Sequence, residues 1–244
     1  MINFNKEQIY IVTGASSGIG EATAILLNEL GATVVGIGRN QERLEAMKTK
    51  CKYPENMFLE QKDLTEDIEG LPKYVKSLKE KYGKFSGMAY CAGIANIIPT
   101  RVVDLQMIHD MLDINYISPI IFTKAMLNKN NNIGEGSSFV YISSASAILC
   151  DKGHLMYSGT KAALSASIRT IAKEYAKNKI RLNCISPTAI KTNILIEGYY
   201  EKEIDKYPMG MGEPEDVANM IIYLLSDKSS WITGQNYIID CASF

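Results

Sequence analysis

Several features that mark particular classes of protein are missing from this chain. Its 244 residues include two histidines, His109 and His154, and five cysteines without a Cys-x-x-Cys pair. No zinc-binding spacing is present, so we expect no metal site. No apolar run approaches the roughly 18 residues of a membrane-spanning helix. The N-terminal MINFNKEQIYIV is too weakly apolar for a signal peptide. We therefore expect a soluble protein of a reducing compartment, in the cytoplasm.

An excess of charge of either sign is also missing. The formal net charge is -1 and the isoelectric point is about 6.2. Lysines are interleaved with acidic residues, which is typical of a solvated surface. The chain thus lacks the electrostatic pattern of proteins that bind nucleic acid or anionic membranes, and we expect neither partner. Without repeats or linkers, and at a length that α/β folds fill as one unit, it is expected to form one domain over 1–244.

What the sequence does have is a regular alternation of strand-like and helical patterns. Apolar, β-rich runs occur at 9–12, 33–38, 57–61, 85–90, 137–143, 180–186 and 235–240. Helical patterns between them include 66–82, 104–129, 158–177 and a helix that Pro214 opens. Pro119 should kink or interrupt the second of these, because proline lacks the amide hydrogen. The alternation predicts an α/β fold with a doubly wound parallel sheet of the Rossmann type, about seven strands, flanked by helices in three layers.

A glycine-rich turn, TGASSGIG at 13–20, joins the first predicted strand to the first helix. Glycines let the backbone turn sharply and approach a pyrophosphate, which the free N–H groups at the helix start then bind. The alternative is a structural turn without a ligand. The following second strand favours a dinucleotide site. Its candidate residues are Gly14, Ser16, Ser17, Gly18, Ile19 and Gly20.

The end of the second predicted strand indicates which dinucleotide is bound. A glycine and Arg39 stand where an acidic residue would bind the ribose hydroxyls of NAD. A guanidinium matches a 2′-phosphate in a forked, charge-assisted geometry, so we expect NADP, with NAD less favoured. The alternative is that Arg39 merely begins a solvated helix, capped by Asn40, with Leu44 and Met47 facing inward.

Tyr157 and Lys161 follow the fifth predicted strand and stand four positions apart, so a helix would place them on one face. An ammonium near a phenol favours the phenolate, and we expect the pKa of Tyr157 to fall from about 10 toward the working pH. Such a tyrosine can exchange a proton with an alcohol or an alkoxide. The alternative is an ordinary surface helix. Asn115, in an apolar neighbourhood, needs hydrogen-bond partners and is either a structural hub or part of a polar site.

Taken in order, these residues resemble the short-chain dehydrogenase/reductase family in its compact single-domain form, similar to 3-oxoacyl-acyl-carrier-protein reductase-like members. The resemblance covers nearly the whole chain. It rests on the glycine turn 13–20, Asp63-Leu64, Cys91-Ala92-Gly93, Asn115, Ser144, Tyr157, Lys161, Pro187, Thr192 and the segments 212–218 and 232–235. It implies an NAD(P)-binding enzyme that transfers a hydride between nicotinamide and a ketone or secondary alcohol.

The resemblance also implies roles for individual residues. Tyr157 is expected to be the general acid/base, Lys161 to lower its pKa and bind the nicotinamide ribose, and Ser144 to hydrogen-bond the substrate oxygen. Asn115 is expected to hold a helix kink and a water that relays protons from Lys161. Beyond the glycine turn, the expected cofactor contacts are Arg39, Asp63, Leu64, Cys91, Ala92, Gly93, Tyr157, Lys161, Pro187, Ile190 and Thr192.

Some positions depart from the usual pattern of the family and indicate a specialised member. Cys91 replaces an asparagine, Thr188 replaces the glycine that usually follows the proline, and Cys241-Ala242 replaces two glycines. None of them belongs to the expected catalytic set.

The family selects substrates through the loop after Gly93, the segment 144–157 and the loop 188–212. Expected substrate contacts are Ser144, Tyr157, Ile94, His154 and Thr188. The partly apolar pocket is compatible with a keto-sugar, a 3-oxoacyl thioester or a cyclic ketone. Arg101, Lys152 and His154 are candidates to meet an anionic group, although a surface role is favoured for each.

Two alternatives to a general carbonyl reductase or alcohol dehydrogenase stay open. The first is a 3-oxoacyl-acyl-carrier-protein reductase, which needs a basic patch for its acidic carrier, whereas the lysines here are scattered. The second is a non-catalytic NAD(P)-binding sensor or scaffold, against which the intact Ser144, Tyr157 and Lys161 argue. The resemblance further implies a homodimer or homotetramer.

Overall fold

A computed structural model describes residues 1–192 and 204–243. Within these residues seven strands form one sheet, and every neighbouring pair is parallel. The strands are β1 Ile9–Thr13, β2 Thr33–Gly38, β3 Met57–Gln61, β4 Gly87–Tyr90, β5 Ser138–Ile142, β6 Arg181–Pro187 and β7 Asn236–Ile239. The predicted doubly wound parallel sheet is confirmed. The bounds of β2 and β3 coincide with the predicted ranges.

Helices connect the strands. They are α1 Gly18–Glu29, α2 Gln41–Lys48, α3 Leu71–Tyr82, α4 Leu105–Leu112, α5 Ser118–Met126, α6 Ser146–Leu149, α7 Leu155–Tyr175 and α8 Pro214–Leu225. α3 starts later than the predicted 66–82. α6 was not predicted from the sequence. None of the described helices combines the length and the apolar character that crossing a membrane requires.

The predicted helix 104–129 is divided in two. A π-helical turn, Asp113–Ile117, separates α4 from α5, and Pro119 lies in the first turn of α5. A proline is tolerated there because first-turn amide groups have no partner within the helix. The interruption expected at Pro119 is therefore present, and the turn before it carries Asn115.

The sheet is buried on both faces, which gives the three predicted layers. Along β1, Ile11 belongs to one core with α3, α5 and α7, and Tyr10 and Val12 belong to the other with α1, α2 and α8. On α1 the face against the sheet is formed by Gly20, Thr23, Ala24 and Leu27, which are buried. The larger Ile19, Ile25, Leu26 and Leu30 are half-buried and pack against the edge of the same core.

The strand order β3-β2-β1-β4-β5-β6-β7 reverses direction between β1 and β4. Such a reversal opens a crevice beyond the carboxyl ends of the two central strands. The Thr13 hydroxyl, at the end of β1, accepts hydrogen bonds from the amides of Cys91 and Ala92, each at 3.1 Å, just after β4. The fold therefore brings the glycine turn and the 91–93 segment together.

Candidate active site

A cleft of about 610 Å³ lies at this crevice, lined by the segments that follow β1 to β6. The glycine turn forms its floor. Arg39, Arg43, Lys62 and Asp63 lie at one end, which we call the basic end. Ser144, Tyr157 and Lys161 lie at the other, which we call the catalytic end.

Two positions of the glycine turn, Gly14 and Gly20, have no room for a side chain. Gly14 has φ +69°, and a Cβ there would lie 3.0 Å from the amide nitrogen of Ala92. A Cβ on Gly20 would lie 2.3 Å from the carbonyl oxygen of Gly14. Ser17, which caps α1, makes no side-chain capping hydrogen bond, so first-turn N–H groups keep their capacity to bind an anion. The turn thus fits a pyrophosphate.

The basic end combines cations with one carboxylate. Arg39 Nη1 lies 3.9 Å from Asp63 Oδ2. Burial works to raise the pKa of Asp63, but hydrogen bonds from Thr65 and the charges of Arg39 and Lys62 outweigh it and hold the pKa below its usual value. The predicted cap is present, since the Asn40 side chain accepts from the Arg43 amide at 2.8 Å.

At the catalytic end α7 places Tyr157 and Lys161 one turn apart, both facing the cleft. Lys161 Nζ lies 5.9 Å from the centre of the Tyr157 ring and donates to the carbonyl oxygen of Ile142 at 2.8 Å. Only 4% of Lys161 is exposed. The end of β5 therefore anchors the ammonium beside the phenol.

The expected lowering of the Tyr157 pKa is wrong in this structure. Burial raises the pKa of Tyr157 above its usual value, and a hydrogen bond with Ser144 opposes the rise without cancelling it. Burial also lowers the pKa of Lys161 to about 8, against the small opposing effects of Cys184 and Cys91. Both shifts have one cause, because removal from water disfavours the charged form of either group.

Asn115 lies behind the wall of the cleft and does not line it. Its side chain accepts from the Ile94 amide at 3.0 Å and donates to the Ile94 carbonyl oxygen at 2.9 Å. A Cβ on Gly93 would lie 2.9 Å from Asn115 Oδ1 and 3.2 Å from Lys161 Nζ. Asn115 is therefore a hydrogen-bonding hub, separated from Lys161 by a glycine that leaves room between them.

The cleft brings together the other residues that the sequence singled out. Besides those already described, it is lined by Ser16, Ser17, Gly18, Ile19, Leu64, Cys91, Ala92, Gly93, Ile94, His154, Pro187, Thr188, Ile190 and Thr192. Arg101 and Lys152 are exposed and are not among the lining residues. The part of the loop 188–212 at 193–203 lies outside the described residues.

Ser143, the neighbour of Ser144, is held by structural contacts. Its hydroxyl donates to the Lys161 carbonyl oxygen at 3.0 Å and lies 2.7 Å from the Ser165 hydroxyl. Ser144 instead accepts from the Ser146 amide and interacts with Tyr157. Ser144 is therefore the serine of this pair whose side chain contacts Tyr157.

Sequence reasoning missed several lining residues. Arg43 and Lys62 lie at the basic end, and Ser146 and Asp151 at the catalytic end. The signals were weak. Arg43 stands four positions after Arg39. Ser146 and Asp151 fall within the segment 144–157, from which Ser144, Lys152, His154 and Tyr157 were the predicted candidates.

Comparison with known proteins indicates the family to which the chain belongs. A family model described as enoyl-(acyl carrier protein) reductase matches residues 14–241. The NAD-dependent glycerol dehydrogenase of Listeria innocua is 32% identical, over 98% of this chain and 94% of the relative. The 3-oxoacyl-acyl-carrier-protein reductase of Thermotoga maritima is 30% identical over 96% of each chain. A solved glucose/ribitol dehydrogenase-type structure from Brucella melitensis has a TM-score of 0.91 at 25% identity, covering 100% of this chain and 99% of that one.

The chain belongs to the short-chain dehydrogenase/reductase family. It is an oxidoreductase of alcohol and carbonyl groups that acts on small molecules with a nicotinamide cofactor, NAD(P).

Proposed function

We propose that the chain is an NADP(H)-dependent carbonyl reductase or alcohol dehydrogenase with Asn115, Ser144, Tyr157 and Lys161 as its catalytic set. One observation carries this proposal. Tyr157, Lys161 and Ser144 face a single cleft whose floor is the glycine turn and whose opposite end is basic. Residues 1–244 act as one domain in this proposal, and a location in the cytoplasm stays a prediction.

In the proposed reaction Tyr157 gives its phenolic proton to the substrate oxygen, and Ser144 donates a hydrogen bond to that oxygen as negative charge develops. When bound, the reduced nicotinamide supplies a hydride to the carbonyl carbon, so that one ketone, one proton and one NADPH give one secondary alcohol and one NADP⁺. Lys161, fixed by the Ile142 carbonyl oxygen, stabilises the phenolate that Tyr157 becomes. Asn115 keeps the turn behind Lys161 in place.

The residues that would hold the cofactor follow from the two ends of the cleft. The glycine turn and the start of α1 bind the pyrophosphate. Asp63 and Leu64 border the adenine, and Lys161 binds the nicotinamide ribose. The remaining contacts are Cys91, Ala92, Gly93, Pro187, Ile190 and Thr192.

The basic end supports NADP over NAD. Arg39 is proposed to pair with the 2′-phosphate, and Arg43 lines the same end from the first turn of α2. Asp63 partly offsets these charges, but Arg39 stays largely exposed at 3.9 Å from it and is accessible to a phosphate.

Replacing Arg39→Asp tests this choice of cofactor. A charge-assisted hydrogen bond contributes about 1.5–3 kcal/mol, so the preference for NADPH over NADH should fall by roughly ten- to a hundredfold. The measurement is fluorescence quenching by each cofactor. Arg101→Asp, an exposed arginine outside the lining of the cleft, is the matched control. An Arg39→Asp protein with the wild-type preference would contradict the proposal.

The named activities of relatives leave the substrate open, because they include a glycerol dehydrogenase and a 3-oxoacyl-acyl-carrier-protein reductase. The second activity requires an acidic carrier beside the pocket. At the catalytic end neither Arg101 nor Lys152 lines the cleft, whereas Asp151 does. The described residues thus favour a small free substrate over a carrier-bound one.

We also propose a homodimer or homotetramer that associates through α7. Its small residues Gly159, Ala162 and Ala166 are exposed and lie on one side of the helix. Small residues let a second helix approach closely. This surface is tested below.

A further inference from the structure

Three polar residues form a group beside the catalytic end that the proposed reaction leaves without a role. Ser146, Asp151 and His154 all line the cleft within the segment between Ser144 and Tyr157. Ser146 and His154 are half-buried and Asp151 is exposed. We call these three residues the polar cluster.

The polar cluster is connected to the catalytic residues. Ser146 donates its amide to Ser144 Oγ at 3.1 Å, and its hydroxyl lies 3.4 Å from His154 Nδ1. The rings of His154 and Tyr157 meet edge to face, with centres 6.0 Å apart. A group bound by the polar cluster would therefore lie beside the substrate oxygen that Ser144 and Tyr157 contact.

The cluster has unused hydrogen-bonding capacity. Across residues 1–192 and 204–243, the only hydrogen bond to the His154 ring is at Nδ1, which leaves Nε2 unpaired. The Asp151 carboxylate has neither a hydrogen bond nor an ion pair in the same ranges; only its backbone oxygen accepts, from the His154 amide at 3.1 Å. One ring nitrogen, one hydroxyl and one carboxylate are thus available to a ligand.

The charge of the cluster excludes some ligands. Within the described lining of the catalytic end, Lys161 is the single lysine or arginine, and its Nζ is already bonded to the Ile142 carbonyl oxygen. A substrate carboxylate or phosphate would meet Asp151 without a cation to balance it. A hydroxyl suits the same place, because it can donate to Asp151 and accept from His154. Ile94 and Ile97 give an apolar wall for a short carbon chain.

From this arrangement we propose that the substrate is a short, neutral hydroxy ketone, or the corresponding polyol in the oxidative direction. The hydroxyl next to the reacting carbon binds the polar cluster. This inference rests on the proposed function, and the redox step is the one balanced above. Asp151 and His154 are specificity-determining residues that do not take part in proton transfer.

A matched pair of ketones tests the inference. The full-length protein with NADPH is assayed with 1-hydroxybutan-2-one and with butan-2-one, which differ by one hydroxyl, and with 3-oxobutanoate as an anionic ketone. Because hydrogen bonds to charged groups contribute about 1.5–3 kcal/mol, kcat/KM should favour the hydroxy ketone by roughly ten- to a hundredfold. Turnover of 3-oxobutanoate should be the weakest.

Variants then assign the preference to the polar cluster. In Asp151→Asn and His154→Leu, kcat/KM should fall for the hydroxy ketone about tenfold more than for butan-2-one, and Asp151→Asn should raise the relative rate with 3-oxobutanoate. Lys152→Gln, next to Asp151 but outside the lining of the cleft, is the matched control and should keep the wild-type ratio. Thermal unfolding and NADPH quenching of each variant verify that it is folded.

The outcomes separate the two proposals. Equal kcat/KM for the two neutral ketones in the wild type, or a preference that both variants retain, would overturn the hydroxy ketone and leave the carbonyl reductase standing. The absence of NADPH oxidation with every ketone, and of NADP⁺ reduction with the corresponding alcohols, would overturn the proposed function as well.

Discussion

Tyr157 and Lys161 show how much the burial of a side chain changes its chemistry. The four-residue spacing correctly predicts that they lie close, with Nζ 5.9 Å from the ring centre. It does not reveal that the surrounding strands and helices bury Lys161 and half-bury Tyr157. Burial raises the pKa of Tyr157 and lowers that of Lys161 to about 8. Burial therefore shifts the protonation equilibrium of both side chains toward the neutral form, which a spacing rule cannot predict.

This burial makes the stability of the protein depend on pH through Lys161. Its pKa is about 8 in the folded state and about 10.4 in an unfolded chain. Between these values the unfolded state binds more protons than the folded state, so the contribution of Lys161 to the free energy of unfolding rises with pH. Below pH 8 the full cost of burying the charge is present.

We therefore expect Lys161→Met to stabilise the protein most at neutral pH, relative to the wild type. The free energy of unfolding of Lys161→Met minus that of the wild type should decrease by about 2 kcal/mol between about pH 7 and 9.5. Over this range the lysine of the folded wild type loses its proton. Urea unfolding at several pH values measures it. A difference that stays constant over this range would show that burial of the Lys161 ammonium does not destabilise the folded protein.

Individual helices and strands differ in how well the sequence predicts them. β2 was predicted with correct bounds because it is a fully buried, mostly apolar run that ends before Arg39 and Asn40. β3 was predicted correctly because three apolar residues, Met57 to Leu59, begin it. A kink held by Asn115 was expected from the resemblance, but the π-helical form of the turn was not predicted, because Asn115 is held by Ile94, 21 positions away. α6 was not predicted because its four residues are too few to show a helical period in the sequence. On α1, close packing against the sheet selects the small side chains of Gly20, Thr23 and Ala24.

The exposed side of α7 carries the proposed subunit contact. Ala166→Arg would place a long charged side chain where a second helix is proposed to approach, so the assembly should dissociate into smaller species. Size-exclusion chromatography with light scattering measures this. Ser77→Arg, an exposed position on α3, is the matched control and should keep the wild-type mass. A wild type that elutes as a monomer, or an Ala166→Arg protein with unchanged mass, would argue against this contact.

At the scale of the whole molecule, the topology of the sheet creates the site. The reversal between β1 and β4 brings segments from six strand ends to one cleft, although Arg39 and Tyr157 are far apart in sequence. The glycine turn and the Ser144, Tyr157 and Lys161 pattern could be recognised in the sequence because each has a fixed spacing. Arg43, Ser146 and Asp151 belong to no pattern of fixed spacing, and only the folded chain shows that they line the same cleft.

The central claim is that Tyr157 supplies the proton while the rest of the cleft binds the cofactor. Its most direct measurement compares kcat for ketone reduction and NADPH fluorescence quenching in the wild type and in Tyr157→Phe, which removes one hydroxyl. General acid catalysis contributes about 10²–10⁴-fold, so kcat should fall by that amount while quenching by NADPH still saturates. A Tyr157→Phe protein that binds NADPH and turns over at the wild-type rate would contradict the account.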